Sequence, residues 1–543
     1  MLDELRTQQE YADFVAARYA GMIGDAASAA AYYRRASESS PEDSGLLERA
    51  TLSTLASGDV KEAIRISKAA KARVSDESPS AELALIVDDI AGGRIKSAEA
   101  RLKKPVLGAL NIDLAAFLSA WLTATDNADA GVVEVDALPG RRMIAGEQAA
   151  LKALILMNAG RDDDAMVSFR HALRLPLASR DQVAVLGASL AASRGMTTDA
   201  RELIELVSVD GETSAGATRL LADLDAGKKI ARPKMDARRG AALAIYIISG
   251  TNLVRSSPDL SALRHALALH LDPELAVARL ALAEAYARQD RPDDAIAALR
   301  NVPDASAWGA DARMEEAAIL SEHDMTPEAL AVADRALALG ERRELALRAG
   351  DLNRIAGRMD VARKFYDRVV TNDAARGLSD WRVLFARATV RSETGDWPGA
   401  EADLNAALAI EPDRPELLNY LGYGWINRGE RMPEGLALIK RAAEARPDQG
   451  YILDSLGWAY FRLGQYDVAM EHLERAAELS PTEAEIIAHL GDAYWRAGRT
   501  VEAKFEWKAA LDLKPDPVIE AELRTKLDRG LPIAPGASLA SRP

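Results

Sequence analysis

Six histidines, one run of three aspartates and one short Gly-Ala-Ser stretch are the places where this chain could do chemistry. The histidines are His171, His265, His270, His323, His472 and His489. His265 and His270 are five residues apart, so they do not share a helix face as an i,i+4 pair would. No His-Glu-x-x-His occurs to hold zinc. Gly187-Ala188-Ser189-Leu190-Ala191 places a serine as a nucleophile elbow would, but the second glycine and the preceding strand are missing. Asp162-Asp163-Asp164 follows Gly160 at the expected start of a helix. Carboxylates there complement the helix N-terminus, a simpler role than binding calcium. No phosphate-cradling Gly-rich loop ends in Lys-Ser or Lys-Thr, and there is no cysteine for thiol catalysis, zinc or disulfides. The expectation is therefore no catalytic residue, no metal and no cofactor: not an enzyme.

What the chain does hold is a repeat. Gly457, Tyr460, Gly464, Ala469, Ala476 and Pro481 recur 34 residues later as Gly491, Tyr494, Gly498, Ala503, Ala510 and Pro515. Such a unit is a helix–turn–helix that cannot bury its own apolar face and must stack on a neighbour. Small residues fall where two helices cross closely, and large ones fill the gaps between. Earlier copies begin at Gly24-Asp25 with Ala29 and Ala36, and at Gly58-Asp59 with Ala63. Later ones contain Gly357 with Ala362, and Gly395-Asp396 with Ala400 and Ala407. The unit around Gly422 and Gly435 is one residue longer, with the insertion near Arg431-Met432-Pro433.

This pattern resembles the tetratricopeptide repeat (TPR). It implies an all-α TPR solenoid, a right-handed superhelix of about 12–14 helical hairpins. The expected organisation is an N-terminal TPR-like superhelix over 1–209 and an irregular basic joint over 210–240. A C-terminal TPR superhelix over 241–516, a capping helix over 517–531 and a disordered tail over 532–543 follow. The joint is read from Lys228-Lys229-Ile230-Ala231-Arg232-Pro233-Lys234, where Pro233 interrupts a helix.

The net charge of −15 argues against nucleic-acid binding, which needs a basic surface to displace counterions. No apolar run reaches the ~20 residues of a membrane-spanning helix. The opening MLDELRTQQEYADFVAARYAG has no apolar export core, so a periplasmic or outer-membrane-associated location requires a leader that was removed or missed; the alternative is the cytoplasm.

In a TPR unit, positions two, five, nine and twelve of the first helix face the concave groove. In the last three units the residues there include Asn419 and Tyr423, then Tyr451, Asp454, Trp458 and Phe461, then Asp492 and Trp495. Aromatic anchors with a few carboxylates suit a peptide-binding groove. The same rings could instead pack between adjacent first helices. No one unit holds the Lys and Asn that a chaperone-tail clamp needs at positions five and nine.

The C-terminal run is more particular than a generic repeat. Leu421-Gly422-Tyr423, Asp454-Ser455-Leu456-Gly457-Trp458 and Ala488-His489-Leu490-Gly491-Asp492 resemble the end of a proteobacterial family of large repeat proteins. That family includes the outer-membrane lipoprotein adaptor of the carboxyl-terminal processing protease. The resemblance implies a non-enzymatic periplasmic adaptor that recruits a processing protease, its cell-wall hydrolase substrates, or both. The chain departs from it in having no lipobox cysteine. The alternative is a cytoplasmic TPR assembly or regulatory scaffold.

Overall fold

The computed structural model describes residues 2–70, 77–104, 107–138, 144–209 and 212–532. Those residues form helices, with no strand among them. The first group comprises α1 (Leu2–Met22), α2 (Ala26–Ser39), α3 (Ser44–Ala56), α4 (Val60–Ala69), α5 (Pro79–Ala91), α6 (Ile95–Leu102), α7 (Gly108–Asp126) and α8 (Ala128–Ala137). Next come α9 (Ala145–Asn158), α10 (Asp162–Leu173), α11 (Arg180–Ser193), α12 (Thr197–Glu205), α13 (Ala215–Asp225), α14 (Ala237–Ser249), α15 (Asn252–Arg255) and α16 (Pro258–Leu271). Then follow α17 (Ala276–Ala287), α18 (Pro292–Arg300), α19 (Gly309–Glu322), α20 (Thr326–Leu339), α21 (Arg343–Ile355), α22 (Met359–Ala375), α23 (Trp381–Glu393) and α24 (Trp397–Ile410). The last are α25 (Pro415–Arg428), α26 (Met432–Ala445), α27 (Gly450–Arg462), α28 (Tyr466–Leu479), α29 (Ala484–Arg496), α30 (Thr500–Asp512) and α31 (Pro517–Arg529). Among the described residues no helix is long and apolar enough to cross a membrane.

Each hairpin follows from its small residues. A Cβ on Gly457 of α27 would stand 2.6 Å from Leu473 Cγ of α28, and one on Gly491 of α29 would stand 2.5 Å from Trp507 Cδ1 of α30. Ala469, Ala476, Ala503 and Ala510 are fully buried on the facing helices. Any larger side chain at these crossings would push the pair apart. The turn between the helices needs a left-handed residue, supplied by Gly464 at φ +76. Asp290 and Asp324 take that place at φ 57 and 61, a conformation that a short polar side chain tolerates.

The chain divides into two compact units, Met1–Leu352 and Asn353–Pro543. The expected division at 210–240 differs from this, because that stretch is built into the first unit. Trp121 Nε1 of α7 donates to the Ala237 carbonyl at 3.0 Å. Gly240 of α14 lies flat against the same indole, and a Cβ there would be 1.7 Å from Trp121 Cζ2. The basic run is tied to the unit's own acids: Arg232 pairs with Asp162 at 2.8 Å and Lys228 with Asp223 at 2.6 Å. The Asp162–Asp164 run opens α10 as expected, and Arg161, Arg194 and Arg232 neutralise it.

α14 and α16 then pack on α3, α5, α7 and α9 within the first unit. The first unit therefore meets itself across a long sequence separation. Tyr286 OH and Arg291 both donate to the Ser57 carbonyl, at 3.2 and 3.0 Å. In the second unit α23 to α30 form consecutive hairpins and α31 closes the end. The capping helix expected over 517–531 spans Pro517–Arg529. The tail expected to be disordered lies, from residue 533 on, outside the described residues.

Candidate functional site

Tyr451, Asp454, Trp458 and Phe461 are spaced three, four and three residues apart on α27, which puts them on one helix face. α25 supplies Asn419 and Tyr423 on one side, and α29 supplies His489, Asp492 and Trp495 on the other. Asp454 and His489 join α27 to α29. His489 Nδ1 lies 2.8 Å from Asp454 Oδ1 and 3.1 Å from Oδ2, and both residues are buried. Burial disfavours the charged imidazole, but the Asp454 carboxylate outweighs it and holds the His489 pKa above its ordinary value. On the other flank, burial and the carboxylates of Glu485 and Asp454 push the Tyr423 phenol up.

The aromatic rings stack around this pair. Trp458 lies 4.1 Å from the His489 ring and 4.8 Å from the Phe461 ring, with interplanar angles of 22° and 13°. Trp458 and Phe461 are half-buried, and Tyr451 is 45% exposed at the rim. The strip thus couples a packed floor to an accessible aromatic edge. Asn419 is buried, and its side-chain oxygen has no hydrogen-bond partner.

Asp492 and Trp495, also expected on the groove, meet the cap of the array. Asp492 is buried, accepting from Trp507 Nε1 at 2.9 Å and pairing with Lys526 of α31 at 2.9 Å. Trp495 packs on Trp507 at 5.3 Å, and Gly530 at the end of α31 lies against its indole. The cause is the same for both: the capping helix covers the last repeat where a further hairpin would otherwise stack. On this face Tyr451 is exposed, and Tyr423, Trp458, Phe461 and Trp495 are half-buried.

His489 is the contributor that the spacing of the concave positions misses. It follows position five of its unit by one residue and meets position five of the unit before. Pairing residues 35 apart across neighbouring first helices would have found it. The serine motif and the His265 imidazole both lie within helices. Ser189 lies inside α11, with Gly187 packed against Phe169. His265 is buried against Ser261, with its pKa lowered by burial to about 4. Among the described residues no group of three His, Asp or Glu side chains could hold a metal ion.

The family described as TPR repeat matches residues 457–498, and the one described as tetratricopeptide repeat matches residues 385–450. Among curated proteins, a TPR repeat-containing protein of Pseudomonas aeruginosa, PA4667, is 36% identical over 94 residues. That stretch is 17% of this chain and 16% of the relative. Among solved structures, a tetratricopeptide repeat protein from Parabacteroides merdae is 14% identical, with a TM-score of 0.42 over 47% of this chain and 98% of that one. The Cut9–Hcn1 hetero-tetramer of APC/C gives 16% identity and a TM-score of 0.40 over 90% of this chain and 96% of that one. Through residues 385–450 and 457–498 the chain carries tetratricopeptide repeats, the repeat of protein–protein interaction scaffolds.

Proposed function

We propose that this protein is a non-enzymatic adaptor of the bacterial cell envelope, in the periplasm or at the outer membrane. It holds a processing protease, its cell-wall hydrolase substrates, or both. The observation that carries the reading is the aromatic strip of α25 and α27, where Tyr423, Trp458 and Phe461 are half-buried and Tyr451 is exposed beside the Asp454–His489 pair. Rigid rings give an extended peptide large apolar contact at low entropy cost. The likeness to PA4667 over 94 residues supports the tetratricopeptide-repeat part of this reading. The mechanism is tethering: holding enzyme and substrate on one scaffold raises their mutual concentration to the order of mM.

The test is photo-crosslinking in living cells from an unnatural benzophenone residue at position 451, with Phe461→Ala as the weakened control. Recovery of a processing protease or a wall hydrolase, reduced by Phe461→Ala, is the expected outcome. Recovery of cytoplasmic proteins alone, or crosslinks indifferent to Phe461, would overturn it.

A further inference from the structure

The outer face of the last repeat differs in chemistry from the same face of the repeat before it. On α30, Val501, Lys504, Phe505 and Lys508 have the i, i+3, i+4, i+7 spacing of one helix face. Val501 is 79% and Phe505 70% exposed. Lys504 and Lys508 are exposed and form no ion pair with a described residue. At the same places on α28, 34 residues earlier, stand Asp467, Met470, Glu471 and Glu474. Asp467, Glu471 and Glu474 are exposed and Met470 is half-buried. A solvated outer face explains α28. It does not explain an open phenylalanine and valine on α30, which cost solubility where acids would serve.

The two faces complement each other, and they belong to second helices of adjacent repeats. Successive helices in this array run antiparallel, so α28 and α30 are parallel. We propose that this strip binds a second copy of the chain. A two-fold axis lying between α28 and α30, along their length, sets α30 of each copy on α28 of the other. Parallel helices related this way face each other at equal repeat positions. Lys504 and Lys508 then meet Asp467, Glu471 and Glu474, while Val501 and Phe505 cover Met470. The contact is self-complementary, as a closed dimer requires, and both halves of it lie within one strip. Opposite charge at its margins fixes register, and the buried phenylalanine supplies the affinity.

Sedimentation velocity of the full chain, from about 1 to about 100 μM, reads the outcome directly. The chain is expected to pass from monomer to dimer over that range. Phe505→Ser, and separately Lys504→Glu with Lys508→Glu, should each weaken the dimer by about tenfold or more, with unchanged circular dichroism because all three positions are exposed. Adding Asp467→Lys and Glu471→Lys to the lysine reversals should restore association. A wild-type chain that stays monomeric overturns the proposal and leaves the face to a different partner. So does a dimer indifferent to Phe505 and the lysine reversals, or a charge swap that fails to restore it.

Discussion

Asp454 on α27 and His489 on α29 form a buried pair, Oδ1 to Nδ1 2.8 Å apart, roofed by the Trp458 indole stacked on the imidazole. One contact thus ties two neighbouring repeats and seats the ring at the centre of the proposed binding strip.

That pair makes the second unit sensitive to pH. Burial works against the charged imidazole, yet Asp454, then Glu485 and Asp492, hold its pKa above the ordinary value. A histidine whose folded pKa exceeds its unfolded value of about 6.5 contributes stability that is complete below that pH and is lost as pH rises through the folded pKa. The second unit of the wild-type chain should therefore lose melting temperature across that window. His489→Gln should flatten the dependence, so that the two chains differ most at the acid end. A constant difference between them through the window would mean that the imidazole does not titrate with this linkage.

In the first unit the tightest approach is Gly240 against Trp121. A methyl group there would stand 1.7 Å from Cζ2, inside a contact that also holds the Trp121 hydrogen bond to Ala237. Gly240→Ala should therefore cost roughly 2 kcal/mol, as overpacking of a closed core does. A Cβ on Gly340 would have nothing within 4 Å, and Gly340→Ala should stay within about 0.5 kcal/mol. Urea unfolding of both variants checks the contrast; equal midpoints would show that α14 yields to the added carbon.

The hairpins were legible because their constraint is local. Gly457 and Gly491 are small since Leu473 and Trp507 press on them, and that pressure repeats every 34 residues. The closure of the first unit was not legible. It depends on Gly240 meeting Trp121 and on Tyr286 meeting Ser57, pairs separated by more than a hundred residues and marked by no period. The strip on α27 could be read from helical spacing alone. What spacing could not give was which concave positions the chain itself would cover, because that depends on where α31 lies. Asp492 and Trp495 satisfy the same rule as Asp454 and Phe461, but they meet Lys526 and Gly530 at the cap, where Asp454 meets His489 and Phe461 meets Trp458.

The cap itself is held by charge. Lys526 of α31 reaches Asp492 at 2.9 Å, with side chains 18% and 4% exposed, while the indole N–H of Trp507 takes the other carboxylate oxygen. Lys526→Met removes one partner from a buried carboxylate whose remaining hydrogen bond is neutral. Breaking such a pair on one side costs roughly 3 kcal/mol, more than the pair itself contributes. The loss should be local: faster amide exchange in α31 and α29, with α23 to α26 unchanged. Adding Asp492→Asn removes the stranded charge while an amide oxygen still accepts from Trp507, so the double variant should recover much of the protection. If Lys526→Met exchanges like the wild type, the ion pair does not fasten the cap, and the apolar contacts of Leu523 and Leu527 suffice to hold α31 in place.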